Sequence, residues 1–330
     1  MRLSDPYLRS FVIGAIFGVS AFAAALPSPA LIVLNKEDAM LVIVDPATGK
    51  VTGKVPTGES PHEVVVSADG KTAFVTNYGS KTPGNSLSVI DLVGQKELRR
   101  VDLAPMTKPH GIAIADGKIW FTAENNKLVG RYDPVTNKID FLLGTGQNST
   151  HMVMFNRDNS LMFTANIAGN SISIFSKSAN GATWNQMVVP VGKGPEGFDL
   201  SPDGRELWAA HSQDGGVSII DLATRAVSAT FDLGTKRSNR IKFTTDGKHA
   251  LVSDLAGGEL VVVDVATRRV VKRIALGKAP EGILIEPSGA RAYIAVSGDN
   301  FIAVIDLKTF AVSAKLLPGG GPDGMAWVAP

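Results

Sequence analysis

The feature that most constrains this chain is a segment that recurs seven times along it. Each copy opens on Pro, Thr or Ser and continues as an alternating apolar stretch, and all but the last pass through a polar turn into a second apolar stretch. The copies begin at Pro61, Pro109, Thr150, Pro195, Ser238, Pro280 and Pro322. Successive start points lie 41 to 48 residues apart, a period typical of one four-stranded sheet in a repeat protein.

Every repeat divides into four short strands, A to D. Strand A ends in a two-residue turn such as Asp69-Gly70 or Asp246-Gly247, and Asp-Gly between apolar runs is a strong hairpin signal. Strand B follows, and strand C ends in Asp, as at Asp264, where the side chain can bind backbone amides of the next turn. The sequence therefore predicts an all-β fold, a seven-bladed β-propeller with four antiparallel strands per blade.

The two ends of the repeated region predict how the ring closes. After Pro322 the chain supplies only strand A, whereas the stretch after residue 26 supplies strands B, C and D. We therefore expect residues 324–328 to pair with residues 31–35 inside one blade. Such closure removes open sheet edges, which would otherwise favour aggregation.

The N-terminus predicts export. Arg2 and Arg9 precede an apolar run, residues 11–26, that closes on Ala23-Ala24-Ala25, and this order is typical of a signal peptide. The run has about 16 residues, fewer than the ~20 that span a bilayer, although a retained anchor stays open as an alternative. We expect residues 1–25 to be cleaved, residues 26–330 to form a single domain, and the product to be periplasmic or secreted and free of the membrane.

Composition excludes several kinds of site. The chain has no cysteine, which excludes disulfides, thiolate metal sites, cysteine nucleophiles and covalent haem attachment. Its formal net charge is +2 and acidic and basic residues alternate along it, so nothing predicts the basic stripe of a nucleic-acid-binding protein.

The repeat carries motifs that resemble a known family. The elements P-H/E-G, S-x-D-G-K, F-V-T-N and S-V-I-D resemble the YVTN-type repeat of exported bacterial YncE-like propellers. The chain is similar, more distantly, to the propellers of cytochrome d1, nitrous oxide reductase and lactonases, and the stretch from Ile119 is similar to streptogramin-lyase blades. The resemblance implies the fold and the export, but no catalytic residue, because propellers host unrelated activities.

The second residue of each strand A is expected at the mouth of the central channel. Around the ring these residues are His62, His110, His151, Glu196, Asn239, Glu281 and Asp323. Three of the five histidines of the chain thus fall in three consecutive blades. The ends of strand B predict an outer ring of Asn35, Asn77, Glu124, Asn166, His211 and Asp254, with Val296 as an apolar exception. His249 is expected to be solvated on the opposite face.

Two functions remain open for this rim. In the first, an exported, monomeric binding or scaffold protein engages a small ligand or a partner protein through Glu196, Asn239, Glu281, Asp323, His211 and Arg240. We also expect His62, His110 and His151 to form a divalent metal site there, because neutral imidazoles are good zinc, copper or iron ligands. The alternative is a metal-dependent hydrolase or lyase, lactonase-like or streptogramin-lyase-like. We favour binding over catalysis, while a third interpretation has the histidines line a water-filled channel.

One further pair stands out deeper in strand A. Asp199 and Lys242 occupy equivalent positions in adjacent repeats, at a level that is apolar in the other repeats. A lone charge at such a level is costly, so we expect the two to form an inter-blade ion pair.

Overall fold

The computed structural model describes residues 26–330 except 180 and 182. The predicted signal peptide, residues 1–25, lies outside the described residues. Within them, 28 strands form seven four-stranded antiparallel sheets, and the predicted seven-bladed β-propeller is confirmed. No helix among these residues is long and apolar enough to cross a bilayer.

The four strands of each blade succeed one another from the channel outwards. Blade 1 has β28 (Pro322–Val328), β1 (Ala30–Asn35), β2 (Met40–Val44) and β3 (Val51–Pro56). Blade 2 has β4 (Pro61–Val66), β5 (Thr72–Gly79), β6 (Pro83–Asp91) and β7 (Lys96–Asp102). Blade 3 has β8 (Pro109–Ala115), β9 (Lys118–Ala123), β10 (Leu128–Asp133) and β11 (Lys138–Gly144). Blade 4 has β12 (Thr150–Phe155), β13 (Leu161–Asn166), β14 (Ser171–Lys177) and β15 (Trp184–Pro190).

The remaining three blades repeat this order. Blade 5 has β16 (Pro195–Leu200), β17 (Glu206–His211), β18 (Gly216–Asp221) and β19 (Ala226–Asp232). Blade 6 has β20 (Ser238–Phe243), β21 (His249–Asp254), β22 (Glu259–Asp264) and β23 (Arg269–Ala275). Blade 7 has β24 (Pro280–Ile285), β25 (Arg291–Val296), β26 (Phe301–Asp306) and β27 (Ala311–Leu316). Short 3-10 turns follow strand B at Glu124–Asn126, Ile167–Gly169 and Ser297–Asp299.

The ring closes in blade 1 as the two ends of the repeat predicted. β28 lies antiparallel to β1, with Leu31 opposite Trp327 and Val33 opposite Met325. The innermost strands of successive blades pack side by side around the channel, and β28 joins β24 of blade 7 to β4 of blade 2.

The hydrophobic core lies between blades, because side chains on a strand alternate between its two faces. In β1, Leu31 and Val33 pack toward blade 7, whereas Ile32 and Leu34 pack toward blade 2. Both faces of the inner strands are therefore buried, while the outermost strands, such as β7, are largely exposed. This packing holds the innermost strands rigidly around the channel.

Candidate functional site

A break in the ladder between strands A and B shapes the channel mouth in every blade. In blade 3 the register shifts between Pro109 and Ile112, and the other six blades shift at the equivalent place. The two residues inside the break turn toward the channel and the neighbouring blade. Gly111 is one of them, and a Cβ there would lie 2.6 Å from the carbonyl oxygen of His151, so a side chain could not fit without a shift. Glycine stands at this position in four blades, at Gly111, Gly197, Gly282 and Gly324.

Threonine hydroxyl groups of strand B form hydrogen bonds at the break in the ladder and hold the backbone of two of the histidines. Thr122 Oγ1 accepts a bond from Gly111 N at 2.9 Å and donates to the carbonyl oxygen of His151, in the next blade, at 2.6 Å. Thr76 donates equivalently to the carbonyl oxygen of His110 at 2.7 Å. Each hydroxyl therefore sets the position of the next blade's channel residue relative to its own blade.

The seven second residues of strand A all line one cavity of about 690 Å³ at the channel mouth, which we call the funnel. His62, His110, His151, Glu196, Asn239, Glu281 and Asp323 form its inner ring. Arg240 also lines it. Whether these residues bind a ligand stays a prediction.

The outer wall of the funnel lies one residue beyond the end of strand B, so it includes Glu124 of the predicted outer ring but not Asn35, Asn77, Asn166, His211 or Asp254. It is formed by Lys36, Tyr78, Glu124, Ile167, Ser212 and Leu255. Strand B ends at Ala123 in blade 3, because Pro109 pairs with Ala123, so Glu124 is already the next residue. Side chains of successive residues point to opposite faces, and the predicted members at the strand ends therefore do not line the funnel.

Those strand-end residues instead hold nearby loops. His211, predicted at the rim, does not line the funnel. It is buried, and its Nδ1 lies 2.9 Å from Asp214 Oδ1. Asn77 accepts from Gly58 N and donates to two serine hydroxyls, while Asp254 accepts from Lys236 N and Arg237 N.

Four aromatic rings, which we call the aromatic wall, line one side of the funnel across blades 2 to 4. The centroid of His62 lies 4.6 Å from Tyr78 and 4.9 Å from His110, and His110 lies 3.7 Å from His151. Glu124 ends this wall, accepting from Tyr78 Oη at 2.7 Å and contacting His151 Nδ1.

Hydrogen bonds and burial set the protonation of this wall. Burial lowers the pKa of His62 to about 4, and burial together with the neighbouring imidazoles holds the pKa of His110 well below its usual value. His62 Nδ1 lies 2.9 Å from the carbonyl oxygen of Ser60, an atom that only accepts. Nδ1 therefore carries the proton, and Nε2 of the neutral ring is an acceptor. Burial opposes ionisation of Glu124, but its bonds to His151 and Tyr78 outweigh this and lower its pKa.

The adjoining part of the funnel wall, in blades 7 and 1, holds a shared cation. Lys36 Nζ contacts Glu281 and lies 3.3 Å from Asp323 Oδ2. Burial and the neighbouring Asp323 raise the pKa of Glu281 to about 7, whereas burial of Asp323 is outweighed by Lys36 and Arg240, which lower its pKa. The sequence predicted Arg240, but not Lys36, at the rim beside these carboxylates. Lys36, which directly follows strand B, is a correction to that prediction.

A buried ion pair crosses the channel below the inner ring. Arg240 Nη2 of blade 6 lies 2.6 Å from Glu63 Oε1 of blade 2, so the pair joins two blades that are not neighbours in the ring. Arg240 Nη1 also donates to Asn239 Oδ1 at 3.2 Å, and Asn239 donates to Glu196 at 2.7 Å. Arg240 borders both the funnel and a second cavity of about 460 Å³ farther along the channel.

Three polar atoms of the inner ring are buried and have no hydrogen-bond partner. They are His110 Nδ1, His151 Nε2 and Asp323 Oδ1, and their residues are 3%, 6% and 2% exposed. Buried polar atoms in proteins are nearly always hydrogen-bonded. Bonding capacity of this kind on the wall of a concave cavity suits a bound polar molecule.

The arrangement of the histidines is not that of a preformed metal centre. Among the described residues, no group of three or more His, Asp or Glu side chains is placed to hold a metal ion. The rings of His110 and His151 are tilted by 33° with centroids 3.7 Å apart, and His62 meets His110 edge to face. A metal needs the ring lone pairs directed at one point, so binding one would require these rings to turn.

Three other predicted residues can be placed. Lys242 Nζ lies 3.1 Å from Asp199 Oδ1, and the inter-blade ion pair is confirmed. Asp199 Oδ2 also accepts from Phe243 N at 2.9 Å. His249 is half-buried rather than fully solvated, because its ring packs on Phe310 at 4.8 Å.

Known proteins resemble this chain in sequence and in fold. The sequence model of the YncE-like β-propeller family matches residues 119–291, just over half of the chain. The chain belongs to the YncE-like β-propeller family. It is 29% identical over 208 residues to antigen Lp49 of Leptospira interrogans. That match covers 56% of this chain and 44% of Lp49, so the chain spans less than half the length of that curated relative.

Solved structures share the fold of this YncE-like chain at low sequence identity. The Pseudomonas aeruginosa periplasmic gluconolactonase PpgL matches with a TM-score of 0.76 and 17% identity, covering 91% of this chain and 99% of that one. Hydrazine synthase of Kuenenia stuttgartiensis matches with a TM-score of 0.74 and 18% identity, covering 89% and 99%. At these identities the likeness extends to the fold alone.

Proposed function

We propose that this YncE-like protein is an exported, monomeric binding protein whose funnel holds a small polar molecule. The observation that carries the proposal is the set of three buried, unpartnered polar atoms on the funnel wall. A bound molecule would satisfy them. The cavity volume of about 690 Å³ lies within the range of small-molecule sites, which favours a small ligand over a partner protein.

Native mass spectrometry of the protein purified from the periplasm tests this proposal. We expect a small-molecule adduct on the wild-type protein that is lost in His110→Ala and kept in the control His249→Ala. The same samples should begin near residue 26, because export removes the signal peptide. Absence of any adduct, together with no change in melting temperature on adding glucose, gluconate or glucosamine, would contradict binding of this class of molecule.

The second candidate is a hydrolase or lyase acting in the funnel, and Glu281 is the observation that favours it. A carboxyl group with a pKa of about 7 can donate or accept a proton at neutral pH, as general acid–base catalysis requires. It lies beside Lys36, a cation that could bind a developing oxyanion. The gluconolactonase PpgL, which shares the fold, suggests lactones as first substrates.

Hydrolysis of glucono-1,5-lactone, followed by proton release, tests this candidate. Catalysis predicts a rate above the buffer blank that falls at least tenfold in Glu281→Gln. A divalent metal bound by His62, His110 and His151 stays a proposal within both functions. Elemental analysis of tag-free protein, with EDTA-treated protein as the reference, decides it. Equal rates for buffer, wild type and variant would remove the lactonase candidate.

A further inference from the structure

The free hydrogen-bonding capacity of the inner ring includes acceptors. Asp323 Oδ1 is an unpartnered carboxylate oxygen. Nε2 of neutral His62 accepts, because Nδ1 donates to Ser60. His151 Nδ1 faces the Glu124 carboxylate, so Nδ1 carries a proton there too, and Nε2 of the same ring is buried without a partner. Acceptors of this kind require donors from a ligand.

The cations of the funnel, by contrast, already have partners. Lys36 is held by Glu281 and Asp323, Arg240 by Glu63 at 2.6 Å, and Arg237 lies 3.8 Å from Glu196. An anionic ligand would have to displace one of these carboxylates to reach a cation. The lining carries four carboxyl groups, on Glu124, Glu196, Glu281 and Asp323, against the cations Lys36 and Arg237, because Glu63 matches the charge of Arg240. With Glu281 about half ionised near pH 7, an excess of negative charge remains.

The aromatic wall adds a second surface that suits a positive charge. Ring faces attract cations within about 6 Å of their centroids. One such contact already exists at its edge, where Lys108 Nζ lies 5.0 Å from the centroid of Tyr78. The ring of His110 meets both His62 and Tyr78 edge to face, and the carboxylate of Asp323 lies in the neighbouring blade 1, next to the blade of His62.

We propose that the ligand of the funnel is a small organic cation, an ammonium-bearing molecule whose N–H and O–H donors meet the free acceptors while its charge lies between the aromatic wall and the carboxylates. This inference rests on the proposed binding function and names the class of ligand. It predicts that the funnel prefers a cation over a neutral molecule of the same shape, and a neutral molecule over an anion.

Three nitroxides of nearly equal size, 4-amino-, 4-hydroxy- and 4-carboxy-TEMPO, carry a positive, zero and negative charge at pH 7 and test this order. The measurement is the paramagnetic relaxation enhancement of the imidazole C–H signals of His110 and His151. The signal of His249, on the opposite face, is the reference for surface encounters. One excess charge about 7 Å away in water favours the cation over the neutral probe roughly threefold, and over the anion roughly sevenfold. High salt should reduce both ratios.

Two matched variants test whether the charge of the funnel causes the preference for the cationic probe. Glu196→Gln keeps the shape of the funnel and removes one charge, so the ratio of cation to neutral probe should fall toward one. The control Glu97→Gln makes the same change on the outermost strand of blade 2 and should leave the ratio unchanged.

The outcomes separate the inference from the proposed function. Equal enhancement by the three probes, or the largest by the anion, with His110 and His151 enhanced beyond His249, would overturn the cation inference while leaving a funnel that admits ligands. Enhancement at His110 and His151 no greater than at His249 for any probe would mean that the funnel is not entered, and would overturn both.

Discussion

Replacing Glu63 by methionine should destabilise the protein, because it breaks the ion pair that crosses the channel. Methionine is the natural choice, because Met152 occupies the equivalent position in blade 4. The change leaves Arg240, which is 7% exposed, without its 2.6 Å carboxylate partner. Breaking a buried pair in this way costs about 3 kcal/mol. For about 300 residues, with ~2.1 cal/mol/K of unfolding entropy per residue, this lowers the melting temperature by about 5 °C.

The reverse change, Arg240→Met, should cost less. A stranded carboxyl group can become neutral by taking a proton, and burial already raises the pKa of Glu63, whereas a guanidinium cannot lose its charge. The double variant should lie within about 1 kcal/mol of wild type, because removing both charges also removes their desolvation cost.

Urea unfolding of the four proteins at pH 7 measures these free energies in one double-mutant cycle. A double variant as unstable as the sum of the two single variants would refute the reasoning. It would mean that the two side chains stabilise the ring through separate contacts rather than through each other.

Four further predictions concern other parts of the funnel. Burial and Asp323 raise the pKa of Glu281 from the usual 4.5 to about 7 in the folded state, so its protonated form stabilises the fold. As pH rises from 4.5 to about 7, wild type should lose roughly 2–3 kcal/mol of urea-measured stability relative to Glu281→Gln. His62 should stay neutral at pH 5 and titrate near pH 4, as followed by its imidazole NMR shifts. Thr122→Val should cost about 1–3 kcal/mol in urea unfolding through two lost hydrogen bonds, and Thr122→Ser clearly less. Asp199→Ala should destabilise more than Lys242→Ala, which should cost under ~1 kcal/mol, because Asp199 also binds a backbone N–H; equal melting temperatures for the two variants would contradict this.

The repeat determined much of what could be predicted. Seven copies with Asp-Gly turns fix the blades, and the leftover strands fix the closure in blade 1. The inner ring was predictable because every strand A starts the same way, so alignment of the copies superimposes His62 on Asp323. The family description and the solved relatives agree with this fold.

What the sequence did not predict depends on single-residue offsets and on contacts across the ring. Alignment of strand B by its last polar residue placed His211 in the outer ring, but strand pleating turns it into the blade and brings Ser212 to the funnel. Glu63 and Arg240 are 177 positions apart, in blades that are not neighbours, so no local pattern links them. One feature of the sequence does indicate the pair. Glu63 and Arg240 both occupy the position of strand A that is glycine in four other repeats.

The contact between Lys36 and Asp323 has a consequence for when the funnel can exist. Lys36 directly follows β1, at the beginning of the propeller, and Asp323 belongs to β28, the last strand added to it. During synthesis some 286 residues separate their appearance, and pairing over such distances is slow compared with forming each hairpin. Six blades can therefore fold while Glu281 and Lys36 still lack their third partner. Binding competence would then report completion of the entire ring, and a chain cut short before β28 would keep most of its sheets but have no finished site.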